Sequence, residues 1–511
     1  MTLVFPLAEL DPEHAVVRYT SSGNTLIIGP AERAFAAAER LRQDLLVSVL
    51  VTDGPLPPTL PGQRPYPVFA GYGVAIDGWL GAFHVEWRSS DPREPSVRLA
   101  VELILDLGDA PLVATHQPPR GYYWPGPAPA ALEAALLELP QMTGEFEKPV
   151  YFRYKEKLCA HGRNGQIACT RCIDICSAAA ISGAGDKVVV NANLCAGCGA
   201  CSTVCPTGAM AYDFPPVRDL AGGMRRVIAG YVEQYGAPPQ VRFHAPGMRF
   251  FPDPVISIEV QHIASVGIEV WLAAIAYGAG GVSVVASGDE APAYLTALQE
   301  QMEIAQTILS GLGYTGRHLA LTRMPDATGM TGLPPSVLAT FDLADDKRTT
   351  LSLALDHLYR HAPLPQETVA LPASAPFGAV LVETAACTLC MACVGVCPKS
   401  ALLDTPGAPE LRFIETNCVQ CGLCAVTCPE DAITLAPRMS FAASAKSAVV
   451  LNRTEPFCCI RCSKPFGTLK LIETMVLKLG QHSAFRDHPD RLRMCGDCRV
   501  IDMMQGEKTV K

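Results

Sequence analysis

Apolar and amphipathic stretches alternate along the first third of the chain. The stretch "NTLIIGP" is apolar and ends in a turn, "AERAFAAAERLRQ" is rich in alanine, and "LLVSVLVT" is apolar with several β-branched residues. These patterns predict a strand, a helix and a second strand. Proline-rich breaks follow at "DGPLPPTLPGQRPYP" and "HQPPRGYYWPGPAP". We therefore expect an N-terminal α/β domain over residues 1–150.

The middle of the chain repeats the alternation. A helix near Met224–Tyr235 precedes the strand "QVRFHA", and a helix around Glu269–Tyr277 precedes the strand "GVSVVAS". A further helix before "HLALTR" has one apolar face, marked by Leu295, Leu298, Met302, Ala305 and Leu309. Alternating strands and helices predict a parallel sheet with helices on its faces, over residues 213–360.

One uncharged stretch, Val270–Gly288, is the best candidate for a membrane span. Gly278, Gly280 and Gly281 divide it into a short helix and a β-rich run, so an α/β core explains it better than a span of ~20 residues. The N-terminal stretch "MTLVFPLAELDPEH" has no basic region followed by an apolar one, so we expect no signal peptide. We expect a soluble, cytoplasmic protein with no membrane span.

Composition excludes some classes of protein. The 511 residues are 49% apolar and 18% charged, which disfavours disorder, and the net charge of −9 disfavours a nucleic-acid-binding protein. The 21 cysteines change the picture, because they lie in three groups: eight in 159–205, eight in 387–428 and five in 458–498. Tight groups at metal-ligand spacing indicate metal sites in a reducing compartment rather than disulfides.

The second group contains two regular motifs, "CTLCMACVGVCP" and "CVQCGLCAVTCP". Their spacing resembles that of the two-cluster bacterial ferredoxins, in which each [4Fe–4S] cube takes three thiolates of one motif and the fourth of the other. A tight loop wraps three corners of the cube, and the chain then turns away towards the neighbouring cluster. The resemblance implies one cluster on Cys387, Cys390, Cys393 and Cys428, and another on Cys418, Cys421, Cys424 and Cys397.

The first group resembles the same module with two departures. "CAGCGACSTVCP" is regular, but nine residues, "AHGRNGQIA", separate Cys159 from Cys169 where two are usual, and Ser177 stands where a proline is usual. Gly162 and Gly165 make that segment a flexible loop that can fold back. The resemblance then implies one cluster on Cys159, Cys169, Cys172 and Cys205, and another on Cys195, Cys198, Cys201 and Cys176.

Two alternatives stay open for this irregular motif. Without Cys159 the first cluster would have three protein ligands, because no other cysteine lies upstream. The inserted loop, which carries His161 and Arg163, is either a docking or potential-tuning lid over the cluster or a tolerated surface insertion.

The C-terminal cysteines have a different spacing. Two CxxC pairs lie 32 residues apart, which resembles a zinc ribbon or treble clef; the predicted ligands are Cys459, Cys462, Cys495 and Cys498. Four thiolates would satisfy tetrahedral zinc and stabilise a small module. A rubredoxin-type iron is the alternative. Cys458 is a spare thiol that could replace Cys459, and His482 and His488 are possible ligands that are more often surface histidines.

A weaker resemblance covers residues 240–325. The stretch "IEVWLAAIAYGAGGVSVVASG", the following helix and "HLALTR" resemble the delta subunit of methyl-viologen-reducing hydrogenases. That family links hydrogenases or formate dehydrogenases to heterodisulfide-reductase-type partners. Its members normally bind a [2Fe–2S] cluster through cysteines, which this region lacks, so the resemblance implies only a docking role.

The fold class we expect is multidomain α/β (α+β): two ferredoxin-like dicluster modules joined to cysteine-free α/β domains, with a small C-terminal zinc-ribbon-like module. The predicted domains are 1–150, 151–212, 213–360, 376–436 and 450–511. No dinucleotide fingerprint, P-loop lysine or nucleophile elbow occurs, so we assign no catalytic residue.

The predicted function is electron transfer through four [4Fe–4S] clusters, with one Zn²⁺ in addition. The protein would relay electrons between a dehydrogenase, of the formate dehydrogenase or hydrogenase type, and a downstream reductase. The alternative is an assembly or maturation factor for a molybdenum- or tungsten-dependent formate dehydrogenase. An enzyme subunit with its own active site is the weakest hypothesis.

Overall fold

The structure is a computed structural model, and it describes residues 2–4, 14–54, 64–89, 96–250, 255–323, 330–483 and 485–506. Most of the first predicted proline-rich break, residues 55–63, lies outside the described residues, as do residues 5–13 of the N-terminal stretch and the last five residues of the predicted C-terminal module. Within the described residues the predicted mixture of helices and strands is confirmed.

The N-terminal part is built on a mixed seven-stranded sheet. Its strands, in spatial order, are Val97–Val101, Phe83–Ser89, Val68–Asp77, Leu46–Val51, Asn24–Gly29, Leu103–Asp106 and Tyr122–Tyr123. The first three pair antiparallel and the rest pair parallel. The helices Ala31–Leu41 and Pro129–Glu138 accompany this sheet, and a strand pair, Val16–Ser21 with Gly144–Pro149, lies beside it. The predicted strand–helix–strand at the start of this region is therefore confirmed.

The central part contains a five-stranded sheet in which every neighbouring pair is parallel. Its spatial order is Thr2–Val4, Val255–Glu259, Gln240–His244, Gly281–Val285 and Leu319–Thr322. Its helices are Val217–Tyr235, Ile268–Ala276, Pro292–Gly311 and Lys347–Arg360. All nine residues of Ile268–Ala276 are buried, which explains why that helix reads as a hydrophobic run. The first strand of the chain thus completes a sheet that is formed by residues far along the sequence.

The two cysteine-rich modules are small and rich in turns. The first has the strand pair Phe152–Tyr154 with Met210–Tyr212, the hairpins Gly162–Arg163 with Gln166–Ile167 and Ile181–Ala184 with Lys187–Val190, and the helices Arg171–Asp174 and Ala200–Val204. The second has the strands Thr368–Ala370, Gly378–Val382, Leu402–Thr405, Ala408–Phe413, Ile433–Ser440 and Val449–Arg453, and the helices Ala392–Val396 and Leu423–Thr427. In each module the cysteines pack together with a small number of buried apolar side chains.

The C-terminal part consists of a hairpin and two helices. The hairpin pairs Pro456–Cys458 with Pro465–Thr468, and the helices are Leu469–Leu479 and Gly496–Gly506. Short 3₁₀ turns complete the fold at Leu139–Met142, Glu156–Leu158, Ile263–Ser265, Glu415–Asn417, Ala443–Lys446 and Pro489–Arg493.

The candidate membrane span, Val270–Gly288, folds as a buried helix followed by a strand of the parallel sheet. Throughout the described part of the chain, no helix combines the length and the apolar character that crossing a membrane requires.

Candidate metal centres

Three of the four cysteine motifs share one loop geometry. In each, the residue before the second cysteine and the residue after it adopt left-handed backbone conformations, which curl the loop around a common centre. These residues are Gly197 and Gly199 (φ 77° and 76°), Leu389 and Met391 (55° and 62°), and Gln420 and Gly422 (50° and 84°). A left-handed conformation is strained for residues other than glycine, so a bound group at the centre of the loop would explain why Leu389 and Met391 adopt it.

The irregular motif reaches the same arrangement by a hairpin. The nine residues between Cys159 and Cys169 form a two-stranded ribbon whose turn is Asn164–Gly165, both with positive φ (54° and 77°). Asp186 accepts hydrogen bonds from both backbone N–H groups of that turn, each at 2.9 Å. At the base of the ribbon, the Cys169 N–H donates to the carbonyl of Ala160 at 3.3 Å. The hairpin therefore places Cys169 beside Cys159, and the predicted flexible loop is an ordered one.

His161 stabilises this hairpin from inside. Its side chain is buried, and its Nδ1 lies 2.8 Å from the carbonyl oxygen of Cys169. An Asn-Gly pair between short strands is a strong hairpin signal. That pair was the feature of the sequence that could have predicted the ribbon.

The fourth cysteine of every motif makes the same type of hydrogen bond. Its sulfur accepts a hydrogen bond from a backbone N–H four or five residues further along the chain. The N···Sγ distances are 3.2 Å for Ala180 to Cys176, 3.4 Å for Met210 to Cys205, 3.2 Å for Ala401 to Cys397 and 3.3 Å for Ala432 to Cys428. The motif with Ser177 makes this bond as the three proline motifs do, so the missing proline does not alter the turn.

In the first module the structure brings the predicted cysteines together in two sets. One set is Cys159, Cys169, Cys172 and Cys205, and the other is Cys195, Cys198, Cys201 and Cys176. Burial raises the pKa of the Cys172 thiol to about 12, and the charges of the other three members of its set oppose its ionisation further. Burial likewise raises the pKa of Cys201 well above its usual value, with the rest of its own set adding to the effect.

The second module shows the same grouping. Its sets are Cys387, Cys390, Cys393 and Cys428, and Cys418, Cys421, Cys424 and Cys397. Burial raises the pKa of the Cys393 thiol to about 12, and the charges of the other three members of its set contribute to the increase. Burial raises the pKa of Cys421 to about 11, and here the neighbouring charges include Cys397 and Cys418.

These surroundings suit a cationic group bound between the thiolates. Burial and mutual repulsion oppose the loss of four protons from one set, and a metal centre that binds all four sulfurs removes that penalty. One cavity is lined by all of Cys176, Cys195, Cys198 and Cys201, and another by all of Cys387, Cys390, Cys393 and Cys428. The residues present therefore fit a cluster in each set.

The C-terminal cysteines are packed more tightly. The sulfurs of Cys459, Cys462, Cys495 and Cys498 all lie within 4.8 Å of one another, and among the described residues this is the only group of three or more histidine, cysteine or acidic ligands so close. The Cys462 and Cys495 sulfurs are 3.7 Å apart. Zn–S bonds of about 2.3 Å in a tetrahedron place sulfurs about 3.8 Å apart. This set therefore fits a single ion, whereas the sixteen cysteines of the two ferredoxin-like modules form no group so close.

Backbone donors surround one of these sulfurs. Burial raises the pKa of the Cys459 thiol, but hydrogen bonds from the backbone N–H groups of Cys495, Cys462 and Arg461 outweigh burial and bring it to about 6. The spare Cys458 is exposed, and His482 and His488 are exposed and outside the set.

One side chain donates a hydrogen bond to a cysteine sulfur, although no sequence pattern indicated it. The hydroxyl group of Tyr294, from the helix Pro292–Gly311, lies 3.0 Å from the sulfur of Cys198. Tyr294 is distant from Cys198 in the chain and belongs to no motif, so no local signal could have pointed to it.

Comparison with known proteins agrees with these centres. The family model described as a 4Fe-4S binding domain matches residues 188–211 and 411–434. An uncharacterised ferredoxin of Methanocaldococcus jannaschii is 38% identical to this chain over 72 residues, which are 14% of this chain and 39% of that protein. The chain thus spans well under half the length of this curated relative. The chain is polyferredoxin-like, with two 4Fe-4S ferredoxin domains, and these matches support an iron–sulfur electron-transfer role.

Proposed function

We propose that this protein carries four [4Fe–4S] clusters and relays electrons between a redox donor and a redox acceptor. The observation that carries the proposal is the grouping of sixteen cysteines into four sets, each made of three cysteines of one motif and the fourth of its partner motif. A bound [4Fe–4S] cluster supplies one-electron chemistry and forms no bond to a substrate. Backbone N–H groups around the sets orient the sulfurs of the fourth cysteines.

The four sets are arranged as one series. One apolar cluster contains Cys159, Cys172 and Cys205 together with Cys176 and Cys201, which joins the two sets of the first module. Another contains cysteines of both sets of the second module. Between the modules, Cys169 and Cys421 pack in a third apolar cluster with Ala160, Val396 and Leu423. These contacts support a single electron-transfer path that runs from set to set through both modules.

The path has two ends. One end is the set of Cys195, Cys198, Cys201 and Cys176, which lies against the central part of the chain through Tyr294. The other is the set of Cys387, Cys390, Cys393 and Cys428, in which Cys390 is exposed. Exposure of a ligand cysteine favours electron exchange there with a partner. We propose a dehydrogenase and a reductase as the two partners, with the cysteine-free α/β parts as docking surfaces.

The C-terminal set holds a structural Zn²⁺ in this proposal. Four cysteine sulfurs at tetrahedral spacing, with three buried members, match a closed zinc site. The module sits next to one end of the path, because Thr468 donates a hydrogen bond at 2.9 Å to the carbonyl oxygen of Thr388, which lies between Cys387 and Cys390. None of the cysteines of the chain is in a disulfide, which is compatible with a reducing compartment. We propose that this compartment is the cytoplasm.

The test is anaerobic purification followed by metal analysis and a redox titration monitored by EPR. About sixteen iron atoms and one zinc per chain are expected, with reversible reduction of the iron–sulfur signals. A colourless protein with far less iron would overturn the proposal. Clusters that resist reduction, together with stable binding of the protein to an immature formate dehydrogenase, would favour the assembly-factor hypothesis instead.

A further inference from the structure

We propose that Tyr294 raises the reduction potential of the cluster held by Cys195, Cys198, Cys201 and Cys176, and that Ser177 positions Tyr294 for this task. The inference rests on the proposed function, because it requires a cluster in that set. It gives the serine that replaces the usual proline a defined role.

The Tyr294 hydroxyl group is aimed at the cluster site from a dry environment. The side chain is only 1% exposed and packs with Ile175, Ala200 and Ala264. Its oxygen is 3.0 Å from the Cys198 sulfur. Two other acceptors also lie near the hydroxyl group, Ser177 Oγ and Gln117 Oε1, the latter at 3.3 Å. A metal-bound thiolate has no hydrogen to donate and carries negative charge, which makes it the strongest acceptor of the three, so the tyrosine hydrogen is directed at the sulfur.

Ser177 is the second hydrogen-bond partner of the Tyr294 hydroxyl group. Its Oγ is hydrogen-bonded to the Tyr294 hydroxyl group and also lies 2.9 Å from Gln117 Oε1. Because the tyrosine hydrogen is directed at the sulfur, the serine hydrogen is donated to the Tyr294 oxygen. The Gln117 backbone N–H donates to the Ser177 carbonyl at 3.2 Å. A proline at position 177 could accept that backbone bond but has no hydroxyl group to donate to Tyr294. The edge of the His262 ring also packs against Tyr294, with ring centroids 5.5 Å apart.

The electrostatic consequence has a definite sign. Reduction adds negative charge to a cluster, and a hydrogen bond to one of its sulfurs stabilises the reduced form more than the oxidised form. Donation from Tyr294 therefore makes this cluster easier to reduce. Because the bond is buried, competing water does not weaken it.

The test is Tyr294→Phe in the full chain, with the potential of each cluster measured by EPR-monitored titration. We expect full iron content and one cluster that is harder to reduce. At a fixed ambient potential, its oxidised-to-reduced ratio should rise about tenfold, which corresponds to about 59 mV for one electron. Tyr314→Phe is the matched control, because it removes a buried tyrosine hydroxyl that donates at 2.8 Å to the carbonyl of Leu358.

Ser177→Ala keeps the tyrosine and removes its partner, and it should lower the same potential by a smaller amount. Unchanged potentials in both variants, with all four clusters present, would overturn the tuning role and leave the proposed function intact. A shift of equal size in Tyr314→Phe would also overturn it. Loss of iron from the parent protein itself would instead remove the proposed function.

Discussion

At the scale of single residues, Cys159 shows how an unusual spacing can preserve a ligand set. The sulfur sits before a hairpin rather than a tight loop, yet the backbone hydrogen bond between Cys169 and Ala160 brings it beside its predicted neighbours. Cys159 is buried. It is a neighbour of Cys172 together with Cys169 and Cys205, which favours a ligand role over a structural one.

Cys159→Ala tests this role. We expect the loss of one cluster of the four, so that iron falls from about sixteen to about twelve atoms per chain, or its conversion to a three-iron form with a distinct EPR signal. Cys458→Ala is the control, because it removes an exposed thiol outside every set. Full iron and an unchanged spectrum in Cys159→Ala would show that the first cluster uses three protein ligands.

Part of the site could be predicted from the sequence because cluster binding by cysteines is local. The x2 and x3 spacings place three cysteines of each predicted set close together in the chain, and the assignment of ligands that the ferredoxin resemblance implied stays a prediction. The donor Tyr294 could not be predicted, because it approaches from a helix about a hundred residues from the cysteine that it contacts. Contacts of that kind depend on how separate parts pack, and sequence periodicity carries no information about them.

At the scale of elements, the hairpin and helices of the C-terminal part depend on their four cysteines. Thr468 caps the helix Leu469–Leu479 by accepting from the Leu471 N–H at 3.0 Å, but many apolar side chains of the two helices are exposed, including Leu477 and Met504. The buried core here is small: Cys459, Cys495 and Cys498 pack with Phe466 and Met494, and Ile472 and Leu492 are buried as well. A core this small cannot offset the conformational entropy of the module without a metal.

Removal of the metal should therefore unfold this module alone. Structural zinc contributes about 10–16 kcal/mol in small zinc peptides at pH 7, far more than this core supplies. Cys495→Ala should lose the zinc and make the part of the chain from Pro456 onwards sensitive to limited proteolysis, while the iron content stays near sixteen atoms per chain. His488→Ala serves as the control and should keep both metals. Protease resistance in a zinc-free protein would contradict the expectation.

Prediction of the elements themselves succeeded where the hydrophobic pattern was regular. The helix predicted around Glu269–Tyr277 is Ile268–Ala276, and the following strand is Gly281–Val285. The pairing of Thr2–Val4 with Val255–Glu259 could not be foreseen, because a three-residue strand carries no period and its partner is some 250 residues away. The hydrogenase-type resemblance of residues 240–325 remains a prediction.

At the scale of the whole molecule, the hairpin inserted in the irregular motif joins the two cluster modules. Ala160, at its base, packs with Val396 and Leu423 of the second module, and all three are buried. Arg171 of the first module also donates to the carbonyl of Ser374 at 3.0 Å. The two interpretations of the insertion are a docking or potential-tuning lid and a tolerated surface insertion, and the buried contact of Ala160 argues against a purely surface role.

Ala160→Arg tests whether this joint sets the distance between the modules. Burying an unpaired guanidinium among apolar side chains costs several kcal/mol, so the joint should open while each module keeps its clusters. In the fully reduced protein we expect weaker magnetic interaction between the clusters of Cys169 and Cys421, measured by pulsed EPR, with iron still near sixteen atoms per chain. Gln166→Arg places the same charge at an exposed strand position of the same hairpin and should change nothing. Leu423→Ala, a milder change from the other side, should weaken the interaction less. An interaction that survives Ala160→Arg unchanged would mean that the electron path does not cross here, and that the two modules exchange electrons with separate partners.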